Sequence, residues 1–266
     1  MGESWIDRIL IGTSGWSYED WVGKFYPEGL PSNKFLLYYS NHFKTVEINF
    51  SYYSMPNRYV LNAIAKNVPS DFVFTIKLHS SFTHQRDFDK PYSEVPYKER
   101  EQFLVAVEVL RNRGMLDTLL AQFPHSFTFS SKHLEYVVKL KNAFEGYNLA
   151  VEFRSDTWYN DVVFEVFRNN GIIWVSVDEP YIKGLPPRDF ILTSRVGYIR
   201  FHSRDADKWY KGEKLRYDYF YSTGELEEWI KKIKDNSEFD RLYVFFNNCH
   251  RAQAVENAMM FRSLLV

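Results

Sequence analysis

The stretch Leu149-Ala-Val-Glu-Phe-Arg154 has the pattern of a short β-strand with two unlike faces. Alternate side chains of a strand point to opposite faces, so the three large apolar residues share one face. Glu152 and Arg154 lie on the other face, toward the carboxyl end of the strand. A strand that is apolar outside and charged inside at its carboxyl end is typical of a βα-barrel, whose mouth carries the chemistry.

Seven further runs of this kind, rich in Val, Ile, Phe and Tyr, alternate with segments of helical periodicity. The eight predicted strands are Arg8–Gly12, Thr45–Asn49, Phe72–Leu78, Thr118–Phe123, Leu149–Arg154, Ile172–Asp178, Gly197–His202 and Leu242–Asn247. The predicted helices are Asn33–Phe43, Asn57–Asn67, Tyr97–Arg113, Ser131–Ala143, Thr157–Asn170, Gly224–Lys234 and Ala252–Leu264. The link Glu179–Arg195 holds three prolines, so its helix is expected to be short or missing.

Eight βα units in 266 residues favour one (β/α)8 barrel of the TIM type. We therefore predict an α/β fold with a single domain over residues 1–266, slightly irregular around the sixth crossover. An open doubly wound sheet would instead carry the phosphate-binding pattern G-x-G-x-x-G after its first strand. The sequence there is Gly12-Thr-Ser-Gly15-Trp16, which does not fit that pattern.

Composition excludes several classes of protein. The chain is 45% hydrophobic and 18% aromatic, which is too apolar for a disordered protein. A net charge of −1 excludes attachment to nucleic acid or an anionic membrane by net charge alone. A single cysteine, Cys249, cannot form an internal disulfide or a thiolate cluster and indicates a reducing compartment. Since no signal peptide or membrane span is visible, we expect a soluble, cytoplasmic protein without a membrane partner.

The same alternation places polar side chains inside the barrel mouth on seven of the eight strands. The predicted inward set is Glu47, Asn49, Lys77, His79, Gln122, Glu152, Arg154, Asp178, Arg200, His202 and Asn247 or Asn248. Burying ionisable groups costs several kcal/mol unless they are paired, so a purely structural core would use Val, Ile and Leu. The set as a whole predicts a functional pocket, although Glu47–Lys77 or Glu152–Arg154 could be pairs that only orient other groups.

A basic segment follows the sixth strand. Residues 183–216 hold nine Lys or Arg and four acids, a local charge of +5. Barrels often bind phosphate with the loops after strands seven and eight, and aromatic residues such as Trp209 could stack on bases or sugars. The alternative is an ordinary solvated loop whose rings cover the helices.

These residues support several chemistries. In a hydrolase acting on a phosphate-containing substrate, either a nucleic acid or a sugar phosphate, Glu152 or Asp178 would be the base and His202 the acid. Lys77, Arg154 and Arg200 would hold the anionic group, with Asn49, Gln122, Asn247 and Trp209 as further substrate contacts. The alternative is a non-catalytic protein that binds an anionic ligand or nucleic acid. A third hypothesis is glycoside hydrolysis by two carboxylates, with Glu47 or Glu152 as the acid.

A divalent metal is a further open question. Glu47, Glu152, Asp178 and His202 offer the carboxylate and imidazole ligands that suit Mn²⁺, Zn²⁺ or Mg²⁺. The cations of the same ring would compete with such an ion.

The sequence also resembles a known family along its full length. Ile11-Gly-Thr-Ser-Gly-Trp-Ser-Tyr18 and Phe25-Tyr-Pro27 are similar to the opening signature of the YecE-like family, domain of unknown function 72. Later blocks match in order: Thr45-Val-Glu-Ile-Asn49, Gln122-Phe-Pro124, Val151-Glu-Phe-Arg154, Tyr198-Ile-Arg-Phe-His202 and Phe246-Asn-Asn248. The resemblance implies a TIM-barrel-like fold and brings no established activity. The chain departs from the family pattern at Cys249-His-Arg-Ala252, where a shorter, Gly-containing turn is expected.

Overall fold

The structure, a computed structural model, describes residues 4–85 and 94–266. Its eight strands are β1 Ile9–Thr13, β2 Thr45–Ile48, β3 Val73–Lys77, β4 Leu116–Gln122, β5 Asn148–Glu152, β6 Ile172–Asp178, β7 Val196–Phe201 and β8 Arg241–Phe246. All pair in parallel in one sheet of order β1-β8-β7-β6-β5-β4-β3-β2. A bridge between Ser14 and Glu47, with a 2.9 Å hydrogen bond from the Gly15 N–H to the Glu47 carbonyl, joins β1 to β2. The predicted (β/α)8 TIM-type barrel is therefore confirmed.

Helices alternate with the strands, and the longer ones pack around the outside of the barrel. They are α1 Phe35–Ser40, α2 Phe50–Tyr53, α3 Arg58–Lys66, α4 Tyr97–Arg111, α5 Ser131–Ala143, α6 Asp161–Asn170, α7 Glu213–Arg216, α8 Thr223–Asp235 and α9 Gln253–Leu264. The link between β6 and β7 has no helix, as its prolines predict. Within the two described ranges, each helix is too short or too polar to cross a lipid bilayer.

Predicted and observed boundaries differ where side chains cap the elements. The predicted helix Thr157–Asn170 begins only at Asp161, because the Asn160 side chain accepts a hydrogen bond from the Val163 N–H and so caps α6. Strands β5, β7 and β8 stop before the polar residues that were predicted to end them. The mouth side chains Arg154, His202 and Asn247 therefore stand on the loops just beyond the sheet.

Two apolar cores flank the strands. The larger lies between the sheet and the helices, and a smaller one fills the barrel interior. The interior core consists of Leu120, Ala150, Ile173, Val175, Val177, Tyr198, Tyr243 and Phe245. This packed layer closes the barrel below the carboxyl ends of the strands, so any cavity must lie above it.

The contact of β1 with β2 depends on a glycine. A Cβ built on Gly12 would lie 2.4 Å from the carbonyl oxygen of Thr45, which is closer than real Cβ atoms approach. Glycine at this position therefore allows the first and second strands to meet.

Candidate functional site at the barrel mouth

A cavity of about 720 Å³ opens at the carboxyl ends of the strands. It is lined by strand ends and by the loops that follow them. All seven residues predicted to contact a substrate line it: Asn49, Lys77, Gln122, Arg154, Arg200, Trp209 and Asn247. Its other walls include Tyr18, Asp20, Tyr52, Tyr53, His84, His125, Tyr210, Lys214, Arg216, Tyr217, Cys249 and His250. Positive and aromatic groups thus surround this cavity. Among the described residues that line it, Asp20 is the one acidic side chain.

Two arginines form the floor of the cavity and are held from below by carboxylates. Arg200 contacts Glu47 and Glu152, each at 2.6 Å. Arg154 lies 2.7 Å from Glu152 and also pairs with Glu179. Burial alone would raise the pKa of Glu152, but the charges of Arg154 and Arg200 hold that pKa well below its usual value. These carboxylates have no solvent-accessible surface, so the floor presents guanidinium groups rather than acids to a ligand.

Three of the four residues predicted to be catalytic lie beneath this floor. Glu47 and Glu152 are the buried partners of the arginines, and His202 is fully buried beside them. Burial and the charge of Arg154 hold the pKa of His202 well below its usual value, so its ring is neutral. Its Nδ1 accepts a hydrogen bond from the side-chain nitrogen of Asn247 at 3.0 Å, so the ring proton belongs on Nε2, which lies 3.4 Å from Glu152 Oε1 and 3.2 Å from Arg154 Nη2. In this arrangement His202 packs against the Glu152–Arg154 pair.

The inward prediction for Asp178 is wrong. The inward residues of β6 are Ile173, Val175 and Val177, which puts Asp178 on the opposite face, toward the helices. There its carboxylate accepts hydrogen bonds from Trp229 Nε1 at 2.6 Å, Tyr221 Oη at 3.0 Å and Arg204 Nη2 at 2.8 Å. Asp178 therefore has no contact with the cavity.

Glu179 takes the inward place instead. It is fully buried, pairs with Arg154, and has a pKa that burial raises to about 7. Sequence reasoning missed it, although the unbroken run of β-branched residues at 173, 175 and 177 was a signal for an interior face.

Lys77 supplies a primary amine to the floor of the cavity. Its Nζ donates to Gln122 Oε1 at 2.8 Å and lies 4.2 Å from the centre of the Tyr52 ring. Gln122 is oriented by its own hydrogen bond to the Phe123 carbonyl, at 2.9 Å. Burial, assisted by the charge of Arg200, lowers the pKa of Lys77 to about 7. His79, predicted inward beside Lys77, instead caps the short helical turn Ser80–Phe82 and does not line the cavity.

One wall comes from the part of the basic segment that follows β7. Trp209 is buried, with the guanidinium of Arg154 5.6 Å and that of Arg216 5.1 Å from its ring centre. Of the nine predicted cations, only Arg200, Lys214 and Arg216 line this cavity. Others form ion pairs outside the cavity: Arg204 with Asp178, Lys208 with Asp218, and Arg195 with Asp240. The local charge of +5 therefore overstates the positive charge at the mouth.

The four predicted metal ligands are not brought together. Among the described residues, one group of three could offer donor atoms within 4.8 Å of one another: Glu152, Glu179 and His202. Each of the three already contacts the guanidinium of Arg154. These residues do not fit a metal site unless Arg154 moves away.

The departure at Cys249 and His250 also lies at the cavity wall. Cys249 Sγ is 3.4 Å from the Ser14 carbonyl oxygen, and burial raises the pKa of the thiol to about 12. The thiol is therefore protonated at neutral pH and is a poor nucleophile.

Comparison with known proteins gives the same fold. A structure of a DUF72 family protein from Thermotoga maritima superposes with a TM-score of 0.86 and 40% identity, covering 97% of this chain and 98% of that one. A second, from Enterococcus faecalis V583, gives a TM-score of 0.84 at 26% identity, covering 97% and 95%. The UPF0759 protein YunF of Bacillus subtilis strain 168 is 29% identical over 275 residues, covering 97% of this chain and 94% of the relative. Residues 10–266 match the family described as protein of unknown function DUF72, and the chain therefore belongs to that family.

Proposed function

We propose that the cavity binds a phosphate-containing ligand, either a sugar phosphate or a nucleic acid, and that the protein hydrolyses it. The observation that carries this proposal is the composition of the floor, where Lys77, Arg154 and Arg200 face the cavity and the carboxylate partners of the two arginines lie behind them. Fixed donors of this kind suit the oxygens of a phosphate group, because the carboxylates already hold the arginines in place before a ligand arrives.

Each floor residue has a role in this proposal. The guanidinium of Arg154, a tenth exposed, and the amine of Lys77, which is half-buried, contact the phosphate oxygens. Arg200, only 3% exposed, contributes its charge from below. Glu47, Glu152 and His202 are positioning residues, because each acts through an arginine rather than on the ligand.

Lys77 is the group that favours turnover over simple binding. Its pKa of about 7 in the free protein lets the amine give up or take up a proton near physiological pH, and in its neutral form the amine accepts a proton from an attacking water. Arg154 and Arg200 would stabilise the charge that develops on the phosphate. This arrangement replaces the acid and base expected from sequence, which have no surface in the cavity.

The alternative is a protein that binds the same anion without turnover. The two hypotheses differ only in the role of Lys77.

Glycoside hydrolysis is less well supported. Glu47 and Glu152 are both covered by Arg200, so neither reaches a sugar ring from its present position.

The test combines binding with turnover. Melting temperature is measured with glucose 6-phosphate, a mononucleotide, a short single-stranded oligonucleotide and neutral glucose, and phosphate release is followed for the same compounds. A ligand at a hundred times its Kd should stabilise the protein by about 2.7 kcal/mol, or roughly 5–10 °C, with no shift from glucose. An enzyme should lose phosphate release in Lys77→Met while Arg154 still retains the ligand. A binding protein should release no phosphate in any form, and equal shifts with glucose would overturn the anion site itself.

A further inference from the structure

We propose that Lys77 is a nucleophilic amine that forms an imine with the carbonyl group of a phosphorylated aldehyde or ketone bound in the cavity. This inference rests on the proposed function for the phosphate anchor, and it adds a covalent step and a narrower ligand class.

The first support is that the described part of the chain places no counter-ion beside the Lys77 amine. Some lysines of the protein pair with acids, as Lys44 does with Asp71 at 2.9 Å and Lys139 with Glu94 at 3.0 Å. Among residues 4–85 and 94–266, no carboxylate oxygen lies within 4.0 Å of Lys77 Nζ. Its polar contact is the neutral Gln122 oxygen. A lysine without a carboxylate partner loses little electrostatic stabilisation when it gives up its proton.

The second support is the charge around the amine. Two guanidiniums, those of Arg154 and Arg200, act on Lys77 together with its burial, and all three disfavour the ammonium form. The buried carboxylates Glu47 and Glu152 oppose this effect but are already paired with the arginines. The pKa of about 7 that results leaves a nucleophile at neutral pH, whereas an ordinary lysine is almost fully protonated.

The third support is orientation. A neutral amine has two N–H bonds and one lone pair, and Gln122 accepts one of those bonds in a geometry fixed by the Phe123 carbonyl. The amine lines a cavity of about 720 Å³, which has room for a small phosphorylated compound. Arg154 lines the same cavity, so a phosphate held there keeps the rest of the ligand close to Lys77.

The step is balanced without a further reactant. The Nζ lone pair forms a bond to the carbonyl carbon, and the carbonyl oxygen takes up a proton that the nitrogen releases. The oxygen then leaves as water with the second amine proton, which gives a neutral imine and one water. His84 lines the cavity, and burial lowers its pKa to about 4, so its neutral ring can relay these protons.

Pyridoxal 5′-phosphate is the probe, because it combines an aldehyde with a phosphate. Wild-type protein is incubated with it near pH 7.4, reduced with borohydride and mapped by peptide mass spectrometry. Two lysines serve as internal controls: Lys214, exposed on the wall of the same cavity, and Lys44, exposed on the far surface. A lysine of ordinary pKa is only about 0.1% neutral at this pH, so Lys77 should be labelled at least about tenfold faster than either control. Labelling at equal rates, or mainly at Lys214, would overturn the proposal.

Phosphate-free pyridoxal separates the two claims. Faster labelling of Lys77 by pyridoxal 5′-phosphate than by pyridoxal, with protection by inorganic phosphate, supports both the amine and the anchor. Equal labelling by the two probes supports the amine and overturns the phosphate anchor. No preferential labelling, with phosphate still raising the melting temperature, overturns the imine and leaves the anion site standing. Lys77→Arg, which keeps a positive charge without a primary amine, should lose the adduct and still bind phosphate.

Discussion

Sulfate is expected to bind the cavity about tenfold more weakly at pH 8 than at pH 6, because Lys77 loses its charge between those values. Sulfate keeps its own charge across this range, so a change in its affinity reports on the protein.

The magnitude follows from the pKa of Lys77. The pKa of Lys77 is about 7 in the free protein, so the amine is roughly 90% protonated at pH 6 and roughly 10% protonated at pH 8. A bound anion raises that pKa, so binding must take up a proton at the higher pH. The free-energy difference is about 1.4 kcal/mol, a factor of ten in Kd. Affinity is thus fully present below pH 7 and falls as the pH rises through it. Arg154 and Arg200 stay charged throughout.

Glu179 adds to the effect in the same direction. Its pKa is also about 7, and its neutral form favours a nearby anion while its charged form opposes one. The combined loss of affinity therefore exceeds the contribution of Lys77 alone.

The assay is calorimetric titration of sulfate at pH 6, 7 and 8 on the wild type and Lys77→Met. Lys44→Met is the matched control, since Lys44 is an exposed lysine paired with Asp71. Lys44→Met should show the same decrease of sulfate affinity between pH 6 and pH 8 as the wild type. Lys77→Met should show only the part of that decrease that is due to Glu179. A wild-type affinity that does not change between pH 6 and pH 8, or a Lys77→Met profile as steep as the wild type, would refute the reasoning.

Three further substitutions test the fold around the site. Glu152→Gln breaks the buried pairs with the floor arginines and should cost about 3–5 kcal/mol in urea unfolding, and a loss under 1 kcal/mol would show that the carboxylate is dispensable. Asp178→Asn should cost about 1–3 kcal/mol while sulfate affinity stays within twofold, because Asp178 bonds to Trp229 on the helix side, and a large loss of affinity would place it at the site after all. Gly12→Ala should cost about 1–3 kcal/mol through the clash with Thr45, and wild-type thermal stability would contradict that close approach.

The barrel could be predicted from sequence because its strands differ in polarity between faces. Along Leu149–Arg154 the apolar face is unambiguous, so the inward position of Glu152 follows from counting alone. Strand β6 gives a weaker contrast, since one face carries Ile173, Val175 and Val177 and the other carries Ile172, Trp174 and Ser176 before Asp178. The choice between Asp178 and Glu179 depends on which face meets the interior, which this weak contrast only suggests and tertiary packing decides.

Which charged residues pair with one another could not be predicted from sequence, for a related reason. Glu47 and Arg200 are 153 positions apart, and their contact arises only when the barrel closes. Of the two pairs that the sequence allowed, Glu152–Arg154 forms, whereas Glu47 pairs with Arg200 and not with Lys77. The alternation of side chains along the strands predicts a mixed-charge mouth, whereas three-dimensional packing decides that the cations face the cavity and the acids lie beneath them.

Locating a bound anion tests the anion site most directly. Crystals soaked in selenate, a tetrahedral dianion close in size to phosphate, allow the ion to be placed by its anomalous scattering. An anion in the cavity, within hydrogen-bonding distance of Lys77 Nζ and the guanidinium of Arg154, is the predicted result. Selenate bound only at surface positions, with the cavity floor unoccupied at saturating concentration, would contradict it.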